Sequence, residues 1–249
     1  MCSIGGVVNF DMDSAVVRSF VLDLLPPMAD RGMDAAGIAA YKSPGEVWIR
    51  KNPEPSPMFA EKLAEVEGWE KARIILLHAR AATHCSPSNN YCNHPLVYYS
   101  RKCGRLLALV HNGVVDGPKE LQARARFGVD SELILLAIAE EYEDRCKLDA
   151  ETVRLAVLDI SGRMAIIVTD GEDVVAYRRD NPLAMLWSSG LLAFVSCPYM
   201  FADAADHLKN GYKVYALERE TFIHINLPTR RVLRSGAWRQ VGVHTPCSY

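Results

Sequence analysis

The order of the predicted strands and helices is the feature that most constrains the fold of this chain. Short apolar segments typical of strands occur near both ends, and helix-forming patterns dominate the middle. Successive strand segments lie too close together for the helical crossovers of a parallel sheet, so we expect mainly antiparallel sheets with helices outside them. No linker divides the pattern, and the sequence predicts one α+β domain over residues 1–249. Strands are predicted at residues 4–10, 37–41, 46–51, 73–78, 106–111, 164–169, 174–178, 191–196, 213–217 and 221–225.

Helices are predicted between these strand segments. The first starts at Asp13 or Ser14 and ends or kinks at Pro26 and Pro27, because proline cannot continue a helix without losing a hydrogen bond. Residues 84–102 are rich in polar residues and are interpreted as a long loop. The remaining helices are predicted at residues 58–66, 118–126, 131–144, 149–159 and 199–207.

Composition narrows the possible partners. Hydrophobic residues make up 49% of the chain and charged residues 23%, which is typical of globular proteins. The formal net charge is −2, so no broad basic field favours nucleic acid or anionic membranes. The longest apolar runs are far shorter than the ~18–20 residues of a membrane span. Residues 1–10 lack the basic and apolar segments of a secretory signal, so we expect a cytoplasmic protein with no nucleic-acid or membrane partner.

The seven cysteines are an odd number spread along the chain, which favours a reduced cytosolic protein over a disulfide framework. Cys85 and Cys92 are flanked by His84 and His94, so a zinc site has to be considered. The Cys-x-x-Cys spacing of structural zinc sites is absent. We therefore expect no metal.

Cys2 directly follows the initiator methionine, and removal of Met1 would leave it as the first residue. A thiol and a free α-amine would then share one residue. An α-amine has a pKa near 7.7–8.0, so part of it is neutral at physiological pH and can act as a base for the thiol. The alternative interpretation is that Cys2 is simply a small residue near the terminus and has no catalytic role.

Two later motifs supply groups that can bind a substrate head group. Arg80 and Thr83 follow a strongly apolar strand. Arg80 is expected where that strand reaches the surface, and a guanidinium there suits a carboxylate. Asp130 opens a predicted helix, where it either caps the helix or binds a ligand ammonium group. His78 and His84 are more simply interpreted as hydrogen-bonded structural residues than as general bases.

A third motif, Asn112-Gly113, ends another buried strand. An Asn amide and the next backbone N–H can converge on one point and form an oxyanion hole. The alternative is an ordinary Asn-Gly hairpin turn. Arg31 and Asp34 lie in a connection framed by two glycines, and alone they are equally consistent with a solvated salt bridge.

Taken in this order, the motifs resemble the class II glutamine amidotransferases, whose glutaminase domains use an N-terminal nucleophile. The likeness is strongest to the glutaminase domains of glucosamine-6-phosphate synthases, and it extends over essentially the whole chain. The family's Met-Cys-Gly-Ile-Val-Gly start reads Met-Cys-Ser-Ile-Gly-Gly here. The Arg-Gly-Tyr-Asp-Ser-Ala-Gly, His-Thr-Arg-Trp-Ala-Thr-His-Gly, Asn-Ala-His-Pro, His-Asn-Gly and Asp-Thr-Glu elements match residues 31–37, 78–85, 93–95, 111–113 and 130–132.

The resemblance implies a four-layer αββα sandwich with two antiparallel sheets, and hydrolysis of L-glutamine to glutamate and ammonia through a cysteine thioester, without a cofactor. The resemblance implies that Cys2 is the catalytic nucleophile and that Asn112 and Gly113 form the oxyanion hole. It implies glutamine binding by Arg80, Thr83, Asp130 and His94. Arg31, Asp34 and His84 are expected to be structural residues near the site.

Two departures from the family affect the expected function. The tryptophan that closes the ammonia route in the synthase is Ala81 here, and a glycine is replaced by Cys85. The sequence ends where the synthase would continue into its isomerase domains, so we expect a separate synthase subunit to take the ammonia. The alternatives are an amidohydrolase acting on a γ-glutamyl or related amide without transfer, and a silent binding module, which the set of reactive groups disfavours.

Overall fold

The computed structural model describes residues 1–247, whose strands form two antiparallel sheets. The larger sheet has eight strands in the order β14 (Trp238–Val241), β11 (Tyr212–Leu217), β9 (Ala184–Ser188), β10 (Leu191–Val195), β1 (Ser3–Asn9), β4 (Ile74–Arg80), β2 (Ala35–Ser43) and β3 (Glu46–Asn52). The smaller sheet has six strands in the order β13 (Arg231–Ser235), β12 (Thr221–Asn226), β8 (Asp173–Arg178), β7 (Ser161–Thr169), β6 (Arg105–Asp116) and β5 (Leu96–Ser100). The predicted α+β class and antiparallel pairing are confirmed.

Helices cover the outer face of each sheet. The eight-stranded sheet packs against α1 (Ser14–Met28), α2 (Ser56–Leu63) and α6 (Ala202–Ala205). The six-stranded sheet packs against α3 (Lys119–Arg124), α4 (Ser131–Arg145) and α5 (Ala150–Ala156). A third apolar cluster fills the space between the sheets. These clusters define four layers, αββα, as the resemblance implied.

The alternation of side chains along β1 shows how the sequence builds these layers. Ile4 and Val8 pack between the two sheets, whereas Val7 faces the helical layer. Because neighbouring side chains of a strand point to opposite faces, a strand buried on both sides reads as a continuous apolar run. β1 lies between β10 and β4 in the interior of its sheet, and this places Cys2 beside the centre of the molecule.

Several predicted boundaries were wrong. The segment interpreted as one long polar loop contains β5, which pairs with β6. β6 continues through Asn112 and Gly113 to Asp116, paired with β7 throughout, so Asn-Gly forms no hairpin turn here. α1 runs through Pro26 and Pro27 to Met28. Within the described residues no helix is long and apolar enough to cross a membrane. The last two residues of the predicted domain, 248 and 249, lie outside the described part.

The expectation of a reduced, unpaired set of cysteines was also wrong. Six cysteines form three disulfides: Cys85–Cys92, Cys103–Cys146 and Cys197–Cys247. The odd cysteine is Cys2, which is free. The sulfurs of Cys85 and Cys92, considered above for zinc, are therefore bonded to each other.

Candidate active site

The predicted site residues converge on one cavity of about 640 Å³, measured with its open mouth, between the ends of β4 and β6 and the start of α4. Arg31, Asp34 and His84 lie outside its lining, next to residues that form it. Met1 also lines the cavity. The predicted nucleophile, oxyanion-hole and substrate-binding residues all line it: Cys2, Arg80, Thr83, His94, Asn112, Gly113 and Asp130.

Cys2 lies half-buried just before β1, with its Sγ 3.7 Å from the carbonyl oxygen of Ala81. Burial raises the pKa of the Cys2 thiol, while the hydrogen bond to Ala81 and the charge of Arg80 act in the opposite direction. The thiol is therefore protonated near neutral pH, and it needs a base before it can attack. With Met1 in place the nitrogen of Cys2 is a peptide amide and cannot serve as that base.

Asn112 is positioned by its neighbours directly beside Cys2. In the amide orientation that satisfies these neighbours, its Nδ2 donates to the Cys2 carbonyl oxygen at 2.9 Å and its Oδ1 accepts from Arg31 at 3.3 Å. Arg31 Nε also donates to the Cys2 carbonyl oxygen, at 3.1 Å. The main chain of Asn112 is held as well, because Asn181 Nδ2 donates to its carbonyl oxygen at 2.8 Å. No sequence motif identified Asn181, which lies in the connection from β8 to β9.

Gly113 follows Asn112 at a point where only glycine fits. A Cβ on this residue would lie 1.9 Å from the carbonyl oxygen of Arg163 and 2.6 Å from Nε2 of His111. Neither group can move freely, because Arg163 belongs to the neighbouring strand and His111 is buried. Gly113 therefore exposes its backbone to the cavity, because it has no side chain to cover it.

Arg80 was expected at the surface, but its residue is only 4% exposed because the loop after β4 folds back over it. Its Nη1 donates to Asn93 Oδ1 at 2.7 Å, and its Nη2 donates to the carbonyl oxygens of His84 and of Cys85, the latter at 2.9 Å. The guanidinium thus lines the cavity while the loop holds it in place.

Two further polar side chains lie at this loop: Asp34, which precedes β2 and hydrogen-bonds the loop, and Thr83, which belongs to it. Asp34 Oδ2 accepts from the backbone N–H of Ala82 at 2.7 Å, and the Asp34 N–H donates to the carbonyl oxygen of Arg80 at 2.9 Å. Thr83 is exposed at the cavity and contacts His84 Nδ1 at 3.1 Å. Asp34 therefore acts on the site through the loop backbone and not through a contact with the cavity.

Asp130 is both a helix cap and part of the cavity wall, so the two interpretations of this residue are compatible. Its Oδ1 accepts from the N–H of Ser131 at 2.9 Å, and its Oδ2 accepts from the N–H of Val115 at 2.8 Å. A carboxylate has further lone pairs for a ligand. These two bonds hold the carboxylate at the start of α4, in the lining of the cavity that Arg80 also lines.

Three buried histidines lie at the cavity, and two of them, His94 and His111, line it. The ring of His94 stacks on His78 with 4.2 Å between centroids, and neither nitrogen of His94 has a hydrogen-bond partner in the described structure. His78 Nε2 lies 3.1 Å from the carbonyl oxygen of His111, whose Nδ1 lies 2.8 Å from Ser131 Oγ. Burial lowers the pKa of His78 to about 3 and of His111 to about 4, and it lowers the pKa of His94 well below its usual range. All three rings are neutral at pH 7.

This cluster predicts a loss of stability in mild acid. In the unfolded chain these histidines take up protons near their ordinary pKa of 6.5, whereas in the folded chain they do not. Stability is therefore complete above about pH 6.5 and falls as the pH decreases towards the folded pKa values, by about 1.4 kcal/mol per pH unit for each histidine. Urea unfolding at several pH values between about 5 and 7.5, above the range of most carboxyl groups, measures this slope.

Histidine variants test whether the slope comes from the cluster. His94→Gln removes one titrating group and breaks no hydrogen bond, so we expect the slope to fall by about a third. Equal slopes in wild type and His94→Gln would contradict the assignment.

No family model matches the chain. Among curated relatives, the glutamine–fructose-6-phosphate aminotransferase of Sulfurisphaera tokodaii is 29% identical over 193 residues, which cover 74% of this chain and 31% of the relative. The protein of the same name from Aeropyrum pernix is 31% identical over 214 residues, which cover 79% of this chain and 32% of the relative. The chain thus matches about a third of the length of these relatives.

Solved structures show the same fold at low sequence identity. Glutamine phosphoribosylpyrophosphate amidotransferase from B. subtilis superimposes with a TM-score of 0.67 at 17% identity, covering 94% of this chain and 49% of that one. A glutamine aminotransferase class-II domain protein from Silicibacter pomeroyi gives a TM-score of 0.55 at 16% identity and covers 94% and 99% of the two chains. Sequence and fold together confirm the resemblance of this chain to the class II glutamine amidotransferases, enzymes of the N-terminal-nucleophile type.

Proposed function

We propose that the chain, once Met1 is removed, hydrolyses L-glutamine to glutamate and ammonia. The observation that carries this proposal is that the one free cysteine, Cys2, lies in the same cavity as the donors of Asn112 and Gly113 and the charged groups of Arg80 and Asp130. A cation and an anion in the lining of one cavity match the carboxylate and ammonium groups of an α-amino acid. The amide of the substrate side chain then lies towards Cys2.

The reaction follows from these positions. The free α-amine of Cys2 takes the thiol proton, directly or through water, and Sγ attacks the side-chain carbonyl carbon. Asn112 Nδ2 and the Gly113 N–H stabilise the negative charge that develops on the carbonyl oxygen. The amine returns the proton to the leaving nitrogen, ammonia departs, and a thioester remains. Water then attacks the thioester, releases glutamate and restores the thiol.

The head-group contacts give a direct test of substrate class. Arg80→Lys keeps the charge but loses the planar fork, and Asp130→Asn removes the charge that pairs with the ammonium. We expect both variants to raise KM for glutamine. For Asp130→Asn the lost binding free energy is about 2–5 kcal/mol if the pair of Asp130 with the substrate ammonium is buried. Steady-state glutaminase kinetics measure the effect.

The same variants control for damage to the nucleophile. A small neutral alkylating reagent needs no head-group contact, so it should modify Cys2 at the wild-type rate in both. A wild-type KM in either variant would show that the residue only supports the structure. Hydrolysis of γ-glutamyl amides in preference to glutamine would favour the amidohydrolase alternative.

We further propose that a separate synthase subunit receives the ammonia. Ala81 lines the cavity where the resembled synthases have a tryptophan, and a methyl group cannot close a channel of molecular width. The exposed residues after Arg80 offer a surface on which a partner can complete the closure. We expect slow glutaminase turnover by the chain alone, and faster turnover when the synthase and its acceptor are added.

Native co-purification followed by a glutaminase assay of the eluate tests this partner. Protection of residues 84–102 from proteolysis in the recovered complex would support docking at the loop. A high kcat without any partner would instead favour an amidohydrolase that does not transfer ammonia.

We also propose that the chain is located in the cytoplasm, and the redox state of its cysteines tests this location. Cytosolic thiols are kept reduced, so in a cytoplasmic chain the three disulfides of the structure would form only after the cell is opened, and the cysteines would be thiols in the cell. Alkylation in freshly lysed cells and intact-mass measurement count them. Seven modified cysteines support the cytoplasm, and one modified cysteine supports an oxidising compartment.

A further inference from the structure

A second cavity, of about 860 Å³ with its open mouth, adjoins the candidate active site and is lined mainly by charged residues. Arg163 and Asn181 line both cavities, and Asn181 is the residue that donates to the main chain of Asn112. The second cavity lies where the chain crosses from β8 of the smaller sheet to β9 of the larger one. We refer to it as the arginine cavity, for its four arginines: Arg163, Arg178, Arg219 and Arg239.

Positive charge exceeds negative charge in the arginine cavity. Only two carboxylates, Asp180 and Glu218, face the four guanidinium groups, which leaves a formal charge of +2. Asp180 is already engaged in a salt bridge with Arg219. Three guanidinium groups are therefore left with a single carboxylate, Glu218.

The arginines themselves show unused hydrogen-bonding capacity. Arg178 is only 7% exposed; it donates to the carbonyl oxygen of Leu217, but its buried Nε has no partner in the described structure. Arg163 and Arg239 are exposed and form no salt bridge or side-chain hydrogen bond among residues 1–247. Arg163 and Arg239 therefore have donors available to a ligand in the cavity, whereas the shielded Nε of Arg178 only adds to the cost of burying its charge.

We propose that the arginine cavity binds the phosphate group of a small phosphorylated molecule. A phosphate monoester carries about −1.5 to −2 charges at pH 7, which matches the +2 of the cavity. Its three terminal oxygens lie around one phosphorus atom and can accept from more than one of the arginines that line the cavity. A carboxylate offers only two oxygens in one plane.

Isothermal titration of the full chain with glycerol phosphate tests the proposal. We expect saturable binding with one site, and binding of malonate, a dianion without a phosphate, at least about ten times weaker. Arg163→Ala and Arg239→Ala each remove an exposed partner and should weaken binding of glycerol phosphate by about ten-fold or more. Arg101→Ala, an exposed arginine outside the cavity, removes the same charge and should change the Kd less than about two-fold.

Each contrary result would overturn the proposal. An absence of saturable binding would mean that the charges are only solvated, and equal weakening by Arg101→Ala would mean that net charge alone attracts the anion. Tighter binding of malonate would assign the cavity to a carboxylate. The binding does not depend on glutamine hydrolysis, so a Cys2→Ala chain should bind glycerol phosphate like wild type. This separates a failure here from a failure of the glutaminase proposal.

Discussion

Replacing Cys2 by alanine should abolish glutamine hydrolysis, because in the proposed reaction its thiol forms the thioester and no other described cysteine is free to replace it. Cys2→Ser should keep only slight activity, since a hydroxyl is a far poorer nucleophile near neutral pH. Ammonia release from L-glutamine, measured on a chain shown by mass spectrometry to lack Met1, gives the result. A chain that verifiably retains Met1 should also be inactive, because it has no free α-amine.

Labelling supplies the control for this prediction. A diazo-ketone analogue of glutamine should modify Cys2 alone, while the six cysteines in disulfides remain unlabelled. Peptide mapping locates the label. A label on Cys85 or Cys92, or full activity with Met1 in place, would refute the assignment of the nucleophile.

Replacing Asn112 by alanine should lower kcat by about 10²–10³-fold with a much smaller change in KM, because this amide acts mainly on the charge that develops during the reaction. Steady-state kinetics separate the two parameters. Asn181→Ala should produce a smaller fall in kcat, since it removes only the support of the Asn112 main chain.

An asparagine far from the cavity serves as the matched control. Asn226, on β12, hydrogen-bonds Asp173 at 2.9 Å and does not line the candidate active site. Asn226→Ala should therefore keep the wild-type kcat. If Asn112→Ala also kept it, the oxyanion would have to be stabilised by other donors.

The sequence motifs located most of the candidate site because each carries its chemistry within a few residues. Cys2 and Arg80 lie at strand ends, Asp130 lies at a helix start and Asn112 lies within β6. The packing of the two sheets and α4 brings these residues to one cavity. The predicted strands at residues 4–10, 73–78 and 164–169 correspond to β1, β4 and β7 for the same reason, since buried strands give long apolar runs.

What the sequence did not reveal depends on contacts distant along the chain. Asn181 hydrogen-bonds the main chain of Asn112, which lies 69 residues earlier in the sequence. Two of the disulfides join cysteines 43 and 50 residues apart. β13 and β14 are short and mostly exposed, so they carry no apolar pattern. Arg80 was expected at the surface because nothing local shows that the following loop returns to cover it.

The Cys85–Cys92 disulfide has a practical consequence for handling the enzyme. It bridges the loop whose carbonyl groups hold the guanidinium of Arg80, and Cys92 itself lines the cavity. Thiol enzymes are usually assayed with a reductant that protects the nucleophile from oxidation. Here the same reagent would also open the bridge and release the loop that holds Arg80, the residue proposed to bind the substrate carboxylate. Glutaminase activity should therefore pass through a maximum as dithiothreitol is increased, with the decline at high concentration appearing in KM and not in the reactivity of Cys2.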